Sequence, residues 1–272
     1  MAQLPIFYIN LARRTDRRHF MEDQFVRLGI TAERIEAATL AEVTQSDLRP
    51  FADPHHPWAI TPSEVACRLS HQRAWELMLQ RGLRSAVILE DDVVLGAAFP
   101  RIVESQEIDL FGADILRLEC SNKRVRLGSI RATLAERFTA RAMLSSDICA
   151  GAYIITAAMA QKSLSDSRLS ALSIDGYLFM RRGGVVPNGA LMQLDPAPCA
   201  QLHFLSSDAN RVRVSDLTPA RRSAPPRPKS FRARWRKATS DLSYSVRSIY
   251  MTIINHRGIA PRRQRIKCDL LP

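Results

Sequence analysis

Short apolar segments alternate with longer amphipathic ones along the first part of the chain. Residues 6–10, IFYIN, form an apolar run rich in β-forming residues, which predicts a buried strand. Apolar positions then recur at helical spacing, from a start at Thr15 or Asp16 to a stop at Gly29, which predicts a helix. Residues 33–39, ERIEAAT, predict a second short strand.

A second helix signal leads into an apolar run that contains three acids. Thr61, Pro62 and Glu64 combine a capping residue, a proline in the first turn and an acid three residues after the cap, which predicts a helix start. That helix is expected to end near Gly82. Residues 86–95, AVILEDDVVL, then have the pattern of a buried strand, although burying three carboxylates is costly unless something pairs with them or binds them.

The remaining pattern completes an alternation of strands and helices. Further strands are predicted at 113–120, 151–156 and within 185–202, a further helix at 157–166, and a short helix or turn at 173–182. Residues 47–62, which contain four prolines, and residues 121–147, which are polar and irregular, predict loops. The alternation predicts an α/β fold with a mostly parallel central sheet and helices on both faces. Ligands of such sheets bind at the carboxyl ends of the strands, where the three acids lie.

The positive charge of the chain is concentrated in its last quarter. The chain has 272 residues, 46% of them hydrophobic, and a formal net charge of +12. Residues 1–210 are nearly neutral, whereas residues 211–272 hold 16 Lys or Arg against three Asp. Because the core pattern also fades there, we predict a folded domain at 1–210 and a basic, Pro/Arg-rich extension at 211–272, with a weak amphipathic helix at 239–256.

Leader and anchor signals are missing, and the cysteines show no pairing pattern. The chain contains no run of about 18 apolar residues, which a membrane-spanning helix needs. Its N-terminal segment lacks a basic-then-apolar leader, so we expect a cytoplasmic protein. The five cysteines are widely spaced, with no CxxC pair, which predicts reduced thiols rather than a disulfide framework or a structural zinc site.

The three acids suit a divalent cation. Strand alternation places Glu90 and Asp92 on one side of the chain and Asp91 on the other. Two carboxylates on one face are typical ligands of Mg²⁺ or Mn²⁺, which stabilises a diphosphate leaving group as its charge develops. A solvated acidic turn, or an acid paired with a helix terminus, is the alternative interpretation.

Basic and polar residues stand near these acids in the predicted fold. Four arginines follow the first strand, at positions 13, 14, 17 and 18. They can meet a diphosphate or a nucleobase edge, or else form a solvated helix face. In CRLSHQRAW, Ser70 and His71 lie on the helix just before the acidic strand, although a lone helical histidine is more often structural.

Ordered blocks of the sequence together resemble glycosyltransferase family 25, the bacterial lipooligosaccharide galactosyltransferases and their collagen-modifying relatives. FYINLARRTDRRHFMEDQFVRLGI is similar to the family's opening strand and helix, and PSEVACRLSHQRAWELMLQRGLRSAVILEDDVVL to its central block. ADILRLE, CAGAYIITAAMAQKSL and SIDGYLF resemble the later blocks in the right order. Ser63 and Ala66 stand where the family commonly has glycine, Ala12 where it has an acid and Ser173 where it has proline. None of these departures removes a candidate catalytic group.

The resemblance implies a GT-A-like nucleotide-sugar-binding fold, a UDP-sugar donor and a Mn²⁺ or Mg²⁺ cofactor. It places Glu90 and Asp92 at the metal, and His203 is either a further metal ligand or an ordinary polar residue at the end of the core. The donor-binding candidates are Asn10, Arg13, Arg17, Ser70, His71 and Glu90. The family's members mostly invert the sugar, which requires a general base. Asp175 is the first candidate for that base and Asp91 the second.

The residues and the resemblance together predict a galactosyltransferase-like enzyme that acts on a bacterial lipopolysaccharide or lipooligosaccharide, that is, on a glycan or glycolipid acceptor. The alternatives are another metal-dependent nucleotide-sugar enzyme, such as a nucleotidyl or sugar-phosphate transferase, and a nucleic-acid binder. No nucleic acid partner is expected, because the basic residues lie off the folded body and no recognition motif is present. Residues 221–267 are predicted to bind an anionic membrane surface, at the inner face of the cytoplasmic membrane, with a solvated extension as the alternative.

Overall fold

An eight-stranded sheet with helices on both faces forms the body of the protein. The structure is a computed structural model that describes residues 3–51, 60–104, 112–121, 123–180, 190–205, 231, 235 and 263–270. In these residues the strands are β1 (Ile6–Asn10), β2 (Glu33–Glu36), β3 (Ser85–Glu90), β4 (Val93–Leu95), β5 (Ile115–Arg117), β6 (Glu119–Cys120), β7 (Arg124–Val125), β8 (Leu127–Leu134), β9 (Phe138–Met143), β10 (Ala152–Thr156), β11 (Leu191–Asp195), β12 (Cys199–Gln201) and β13 (Gln264–Arg265). The helices are α1 (Thr15–Leu28), α2 (Gln45–Leu48), α3 (Pro62–Gln80), α4 (Phe99–Glu104), α5 (Ala157–Leu164) and α6 (Ile174–Phe179).

The large sheet is mixed in direction. Its strand order is β2-β1-β3-β10-β5-β11-β9-β8. Strand β1 runs parallel to β2 and β3, and β5 runs parallel to β11, whereas the other neighbours are antiparallel. The predicted α/β class is confirmed, but the sheet is mixed rather than mostly parallel. The hydrophobic pattern of a buried strand is the same in either direction, so it gave no sign that β10 enters the sheet reversed.

Alternate residues of the central strands face two separate cores. Phe7 and Ile9 of β1 pack with residues of α3, α5 and α6 on one face of the sheet. Ile6 and Tyr8 pack with residues of α1 and α4 on the other face. Because both faces are covered, as predicted, β1 is buried along its whole length and its sequence is a continuous apolar run.

The helices α1 and α3 begin and end where their local signals place them. Gly29 takes a left-handed φ of 63° and donates to the carbonyls of Phe25 and Val26, which closes α1. Thr61 and Glu64 form a reciprocal capping box at the start of α3. These two helices flank the acidic strand, so correct local signals also fix the position of the candidate site.

The apolar run at residues 86–95 is two strands rather than one. Strand β3 ends at Glu90, Asp91 and Asp92 form a turn, and β4 joins a separate three-stranded sheet in the order β4-β12-β6. Strand alternation therefore does not continue past Glu90. The prediction that Asp91 and Asp92 face opposite sides is wrong, because the turn directs both carboxylates to Arg17 of α1.

Residues 121–147, predicted as a loop, contain strands. The strands β8 and β9 form an antiparallel hairpin at the edge of the large sheet. Phe138, Ala140 and Ala142 of β9 are buried, while the residues between them are partly exposed. The period of two was present in the sequence. It was obscured because small alanines occupy two of the buried positions and because the partly exposed positions are only Thr139 and Arg141.

Residues 263–270, here called the C-terminal strap, return to the body of the protein. Strand β13 pairs with β7. Ile266 is buried in the core that contains Phe7 and Ile9. Cys268 forms a disulfide with Cys120 of β6, across 148 residues of sequence. The prediction of reduced thiols is therefore wrong for this pair, because the pairing depends on how the distant strap lies against β6. It is confirmed for Cys67, Cys149 and Cys199.

A glycine makes the close approach of the strap to the body practicable. A Cβ at Gly96 would lie 2.1 Å from the carbonyl oxygen of Asp269. The strap also exchanges backbone hydrogen bonds with Ala197, which donates to Lys267 and accepts from Asp269. These contacts tie the end of the basic extension to the domain, while the predicted boundary at residue 210 stays a prediction.

The rest of the basic extension lies largely outside the described residues. This includes the amphipathic helix predicted at residues 239–256 and most of residues 221–237. Phe231 and Trp235 are helical and exposed, and their rings stack with centroids 6.3 Å apart. In the part of the chain that the structure describes, no helix has the length and apolar character needed to cross a membrane. The predicted cytoplasmic location stays a prediction.

Candidate active site

One guanidinium holds the two aspartates of the acidic turn. Arg17 Nη1 lies 2.6 Å from Asp91 Oδ1, and Arg17 Nη2 lies 3.1 Å from Asp92 Oδ2. Asn10, the last residue of β1, donates from Nδ2 to the other oxygen of Asp91 at 2.8 Å. Both oxygens of Asp91 are therefore bonded to neighbouring side chains, and these bonds join β1, α1 and the turn after β3.

The second oxygen of Asp92 has a different environment. Asp92 Oδ1 is buried and has no hydrogen-bond partner among the described residues. Burial raises the pKa of Asp92 to about 7, against the lowering effect of Arg17 and with the help of the neighbouring charges of Glu90 and Asp91. A buried carboxylate oxygen without a partner is costly unless a donor or a cation reaches it, so Asp92 fits a hard divalent cation.

Glu90 is surrounded by side chains that fix its carboxylate. Its Oε1 lies 3.3 Å from His71 Nε2 and 3.7 Å from Cys67 Sγ, and its Oε2 accepts from Gln201 Nε2 at 2.7 Å. Burial opposes the ionisation of Glu90, but the hydrogen bond and charge of His71 and the charge of Arg17 outweigh it. The pKa of Glu90 is therefore lowered. Two acids separated by one residue thus have oppositely shifted pKa values.

An aromatic side chain contacts His71 on the side of the ring opposite Glu90. Its Nδ1 lies 2.8 Å from the hydroxyl of Tyr153, which also accepts from Trp75 Nε1 at 3.0 Å. His71 and Tyr153 are completely buried. This arrangement directs His71 Nε2 at Glu90, so His71 acts on the site through Glu90 rather than by lining a cavity.

The larger of two cavities at this site lies between β1, α3 and the acids. Its volume is about 590 Å³, within the range of small-molecule and cofactor pockets. Its lining includes the apolar Ile9 and Leu11, residues 37–41, and the basic residues Arg13 and Arg17. Ser70 also lines it, but the Ser70 hydroxyl is used to accept from the backbone of Ala38 and to donate to Ala66.

The smaller cavity lies on the other side of the acids. Its volume is about 230 Å³, and Asp175, His203 and Cys149 are among the residues that line it. Asp175 lies in the first turn of α6, where its Oδ1 accepts from Ser173 Oγ at 2.6 Å and from the backbone of Gly176 at 2.9 Å. Cys67, Glu90 and Asp92 line both cavities, so these three side chains form their shared boundary.

A buried ionic cluster supports the wall of the smaller cavity. Arg117 donates to Asp147 at 2.5 Å and to the carbonyl of Ile148 at 2.6 Å. Glu119 accepts from the backbone of Gly151, and burial raises the pKa of Glu119 to about 8. These bonds position the segment from Ile148 to Gly151, which supplies three residues of the cavity lining.

The structure brings most of the predicted site residues together, but in different roles. Arg13, Arg17, Ser70, Glu90, Asp91 and Asp92 line the larger cavity, and Glu90, Asp92, Asp175 and His203 line the smaller one. Asn10 and His71 are buried behind this surface, bonded to Asp91 and Glu90 respectively. The predicted roles themselves stay predictions.

Two residues of the site were missed by the sequence analysis. Cys67 precedes His71 by one helical turn on α3, a spacing that places both on one face and was visible in the sequence. Gln201 lies 111 residues from Glu90, and no local pattern connects them. Gly151 leaves room for it, because a Cβ there would lie 2.8 Å from Gln201 Nε2.

The chain is similar to a known sequence family and to several of its named members. The profile described as "Glycosyltransferase family 25 (LPS biosynthesis protein)" matches residues 3–177, more than half of the chain. A "Glycosyltransferase 25 family member" of Drosophila melanogaster is 40% identical over 96 residues, which are 32% of this chain and 16% of that protein. "Procollagen galactosyltransferase 1" of Danio rerio is 33% identical over 119 residues, which are 38% of this chain and 20% of that protein.

Other similarities extend further along the chain at lower identity. "Inactive glycosyltransferase 25 family member 3" of Homo sapiens is 28% identical over 186 residues, which are 64% of this chain and 31% of that protein. The chain thus spans less than a third of the length of each of these relatives. A solved glycosyltransferase involved in glycosylation of the major capsid of PBCV-1 aligns with 75% of this chain and 95% of that one, at 12% identity and a TM-score of 0.38.

We expect the structure to depend strongly on Arg17. Arg17→Met keeps much of the side-chain volume but leaves two buried carboxylates without their cation, which should lower the free energy of unfolding by about 3–5 kcal/mol. Urea denaturation at pH 7 measures this. The matched control is Arg18→Met, one residue along α1. Arg18 is exposed, so its ion pair with Glu22 should contribute far less. Equal losses in the two variants would contradict the role given to Arg17.

Proposed function

The chain belongs to glycosyltransferase family 25, and we propose that it transfers a hexose from a UDP-sugar to a bacterial surface glycan. Galactose is the first candidate for the sugar, because a relative with a similar segment is named a procollagen galactosyltransferase. The family description names lipopolysaccharide biosynthesis, which supports a lipopolysaccharide or lipooligosaccharide acceptor. Some similar proteins are named inactive, so the activity itself is part of the proposal.

The observation that carries this proposal is a pair of cavities that meet at Glu90 and Asp92. A transferase must hold two substrates so that the reacting atoms of each come together. The larger cavity has a size, an apolar lining and two lining arginines that suit a nucleoside diphosphate sugar. The smaller cavity then receives the acceptor hydroxyl. Arg13 and Arg17 orient the diphosphate and oppose the negative charge that it gains when the sugar leaves.

Glu90 and Asp92 would hold a divalent cation, Mn²⁺ or Mg²⁺, at the boundary between the cavities. The unpartnered Oδ1 of Asp92 and the nearby carboxylate of Glu90 are hard oxygen donors of the kind that these ions prefer. His203 lines the smaller cavity and is the candidate for a further ligand. When bound, the cation supplies positive charge next to the diphosphate leaving group.

Asp175 is the better of the two candidates for the general base. Inversion is a single displacement, in which the acceptor oxygen attacks the sugar and loses its proton while the bond to the diphosphate breaks. Asp175 is partly exposed in the smaller cavity, where that hydroxyl would arrive. Asp91 is bonded through both oxygens to Arg17 and Asn10, which suits a positioning residue.

We expect the purified protein to release UDP from a UDP-hexose when Mn²⁺ is present, in a screen of UDP- and GDP-sugars. Asp92→Asn keeps the side chain's size but removes a charged ligand, and should lower turnover by about 10²-fold or more. Glu33→Gln, on an exposed ion pair outside both cavities, is the matched control and should retain activity. Release of hexose 1-phosphate instead of UDP would favour a nucleotidyl transferase, and release of UMP would favour a sugar-phosphate transferase. Salt-sensitive DNA binding without turnover would favour the nucleic-acid binder.

Asp175→Asn should retain UDP binding and lose transfer. A general base acts in the transition state, so its loss lowers turnover by about 10²–10⁴-fold with little effect on donor affinity. Asparagine can keep the bonds to Ser173 and Gly176, so the start of α6 should persist. Calorimetric titration with UDP and a transfer assay measure the two effects. Loss of UDP binding would instead place Asp175 in the donor site.

The basic extension is proposed to hold the enzyme on an anionic membrane surface near a lipid-linked acceptor. Each Lys or Arg close to such a surface contributes about 1 kcal/mol. Removing the whole extension would also remove the C-terminal strap and its disulfide, so the test replaces the Lys and Arg residues of 221–237 by Gln in the full chain. At low salt, sedimentation of the parent protein with liposomes should increase as their anionic lipid content rises. Sedimentation of the variant should increase much less. Equal sedimentation of variant and parent would show that this segment does not bind the membrane.

A further inference from the structure

Three different metal-binding groups converge at the boundary between the two cavities, which Cys67 and Glu90 line. Cys67 and His71 lie one turn apart on α3, and both side chains point at Glu90 at the end of β3. One ligand atom from each lies within 4.8 Å of the other two. The sequence predicted no zinc site, because thiol, imidazole and carboxylate come from two elements whose packing the spacing does not reveal.

The separations between these atoms match those around a tetrahedral zinc ion. Zn–N and Zn–O bonds of about 2.0 Å and a Zn–S bond of about 2.3 Å place nitrogen and oxygen about 3.3 Å apart, and sulfur and oxygen about 3.5 Å apart. In the structure, His71 Nε2 and Glu90 Oε1 are 3.3 Å apart, and Cys67 Sγ and Glu90 Oε1 are 3.7 Å apart. Two of the three separations are therefore close to those of a tetrahedral site, and the ligand atoms of Cys67 and His71 lie within 4.8 Å of each other.

We propose that Cys67, His71 and Glu90 form a second metal site that takes a thiophilic divalent ion such as Zn²⁺. A thiolate, an imidazole and a carboxylate suit Zn²⁺ far better than Mg²⁺ or Mn²⁺, which prefer oxygen ligands. On binding, the Cys67 thiol releases its proton to water and the sulfur becomes a ligand. The fourth position faces the cavities, because Cys67 and Glu90 line both.

The surroundings of the three groups support this assignment. The Nδ1 atom of His71 contacts the hydroxyl of Tyr153, a neighbour of the kind that orients metal-binding histidines. The unused oxygen of Glu90 is held by Gln201. Both outer contacts leave His71 Nε2 and Glu90 Oε1 directed at the same point, next to Cys67 Sγ.

The two proposed metal sites share Glu90, so an ion bound at one site affects binding at the other. Glu90 is also a proposed ligand of the hard cation at Asp92, and it cannot serve both ions in the same geometry. An ion at Cys67, His71 and Glu90 therefore weakens binding at Asp92, which makes the second site inhibitory if the proposed function holds. The existence of the site does not rest on that function, since binding can be measured without any substrate.

Cobalt titration of the full-length protein tests the second site. Co²⁺ bound to a thiolate gives a near-ultraviolet charge-transfer band, and Zn²⁺ should displace the Co²⁺ and remove the band. In Cys67→Ser the band should disappear and the Co²⁺ affinity fall at least about 10-fold. The matched control is Cys149→Ser, which changes another free thiol of the smaller cavity and should keep the band. Circular dichroism confirms that each variant is folded.

Three results would overturn the proposal. A band that persists in Cys67→Ser, or is absent from the wild-type protein, would leave the three groups as a hydrogen-bonded cluster only. A band lost in Asp92→Asn would place the ion at the hard-cation site instead. Asp92→Asn thus separates the two proposals, because it should lower Mn²⁺-dependent turnover by about 10²-fold or more while it retains the Co²⁺ band.

Discussion

The ion pairs of Arg17 with Asp91 and Asp92 are the interaction on which the candidate site depends. They join the helix after the first strand to the turn after the third, two segments separated by 74 residues. Without a cation, two buried carboxylates in one turn would repel each other and lose their solvation. With it, the turn can leave β3 and pass directly into a second sheet, which opens cavities on both sides of the acids.

The three neighbouring carboxylates of the site differ in their hydrogen-bond partners and in the direction of their pKa shifts. Asp91 is saturated by Arg17 and Asn10, and it serves the structure. Glu90 is held by His71 and Gln201, with a lowered pKa, while burial raises the pKa of Asp92 to about 7. The three successive acids thus differ in their contacts: both oxygens of Asp91 are bonded to Arg17 and Asn10, both oxygens of Glu90 contact neighbouring side chains, and Asp92 has one buried oxygen with no hydrogen-bond partner among the described residues.

The second sheet and the C-terminal strap support this arrangement from the other side. Strand β12 delivers Gln201 to Glu90, and it pairs with β4 directly after the acidic turn. The strap forms backbone hydrogen bonds with Ala197, just before β12. Its disulfide to Cys120 joins it to β6, the strand next to β12. Contacts near the C-terminal end of the chain therefore support the strand that carries Gln201, and the side chain of Gln201 holds Glu90.

Local signals in the sequence determined the elements that carry the site. Tertiary structure decided which distant residues contact one another there. The capping box at Thr61, the glycine at position 29 and the apolar run before Glu90 each act within a few residues, so α1, α3 and β3 could be predicted. The reversed direction of β10, the disulfide across 148 residues and the bond from Gln201 to Glu90 could not. Each depends on which distant segments pack together, and hydrophobic periodicity records only whether a residue is buried, not against what.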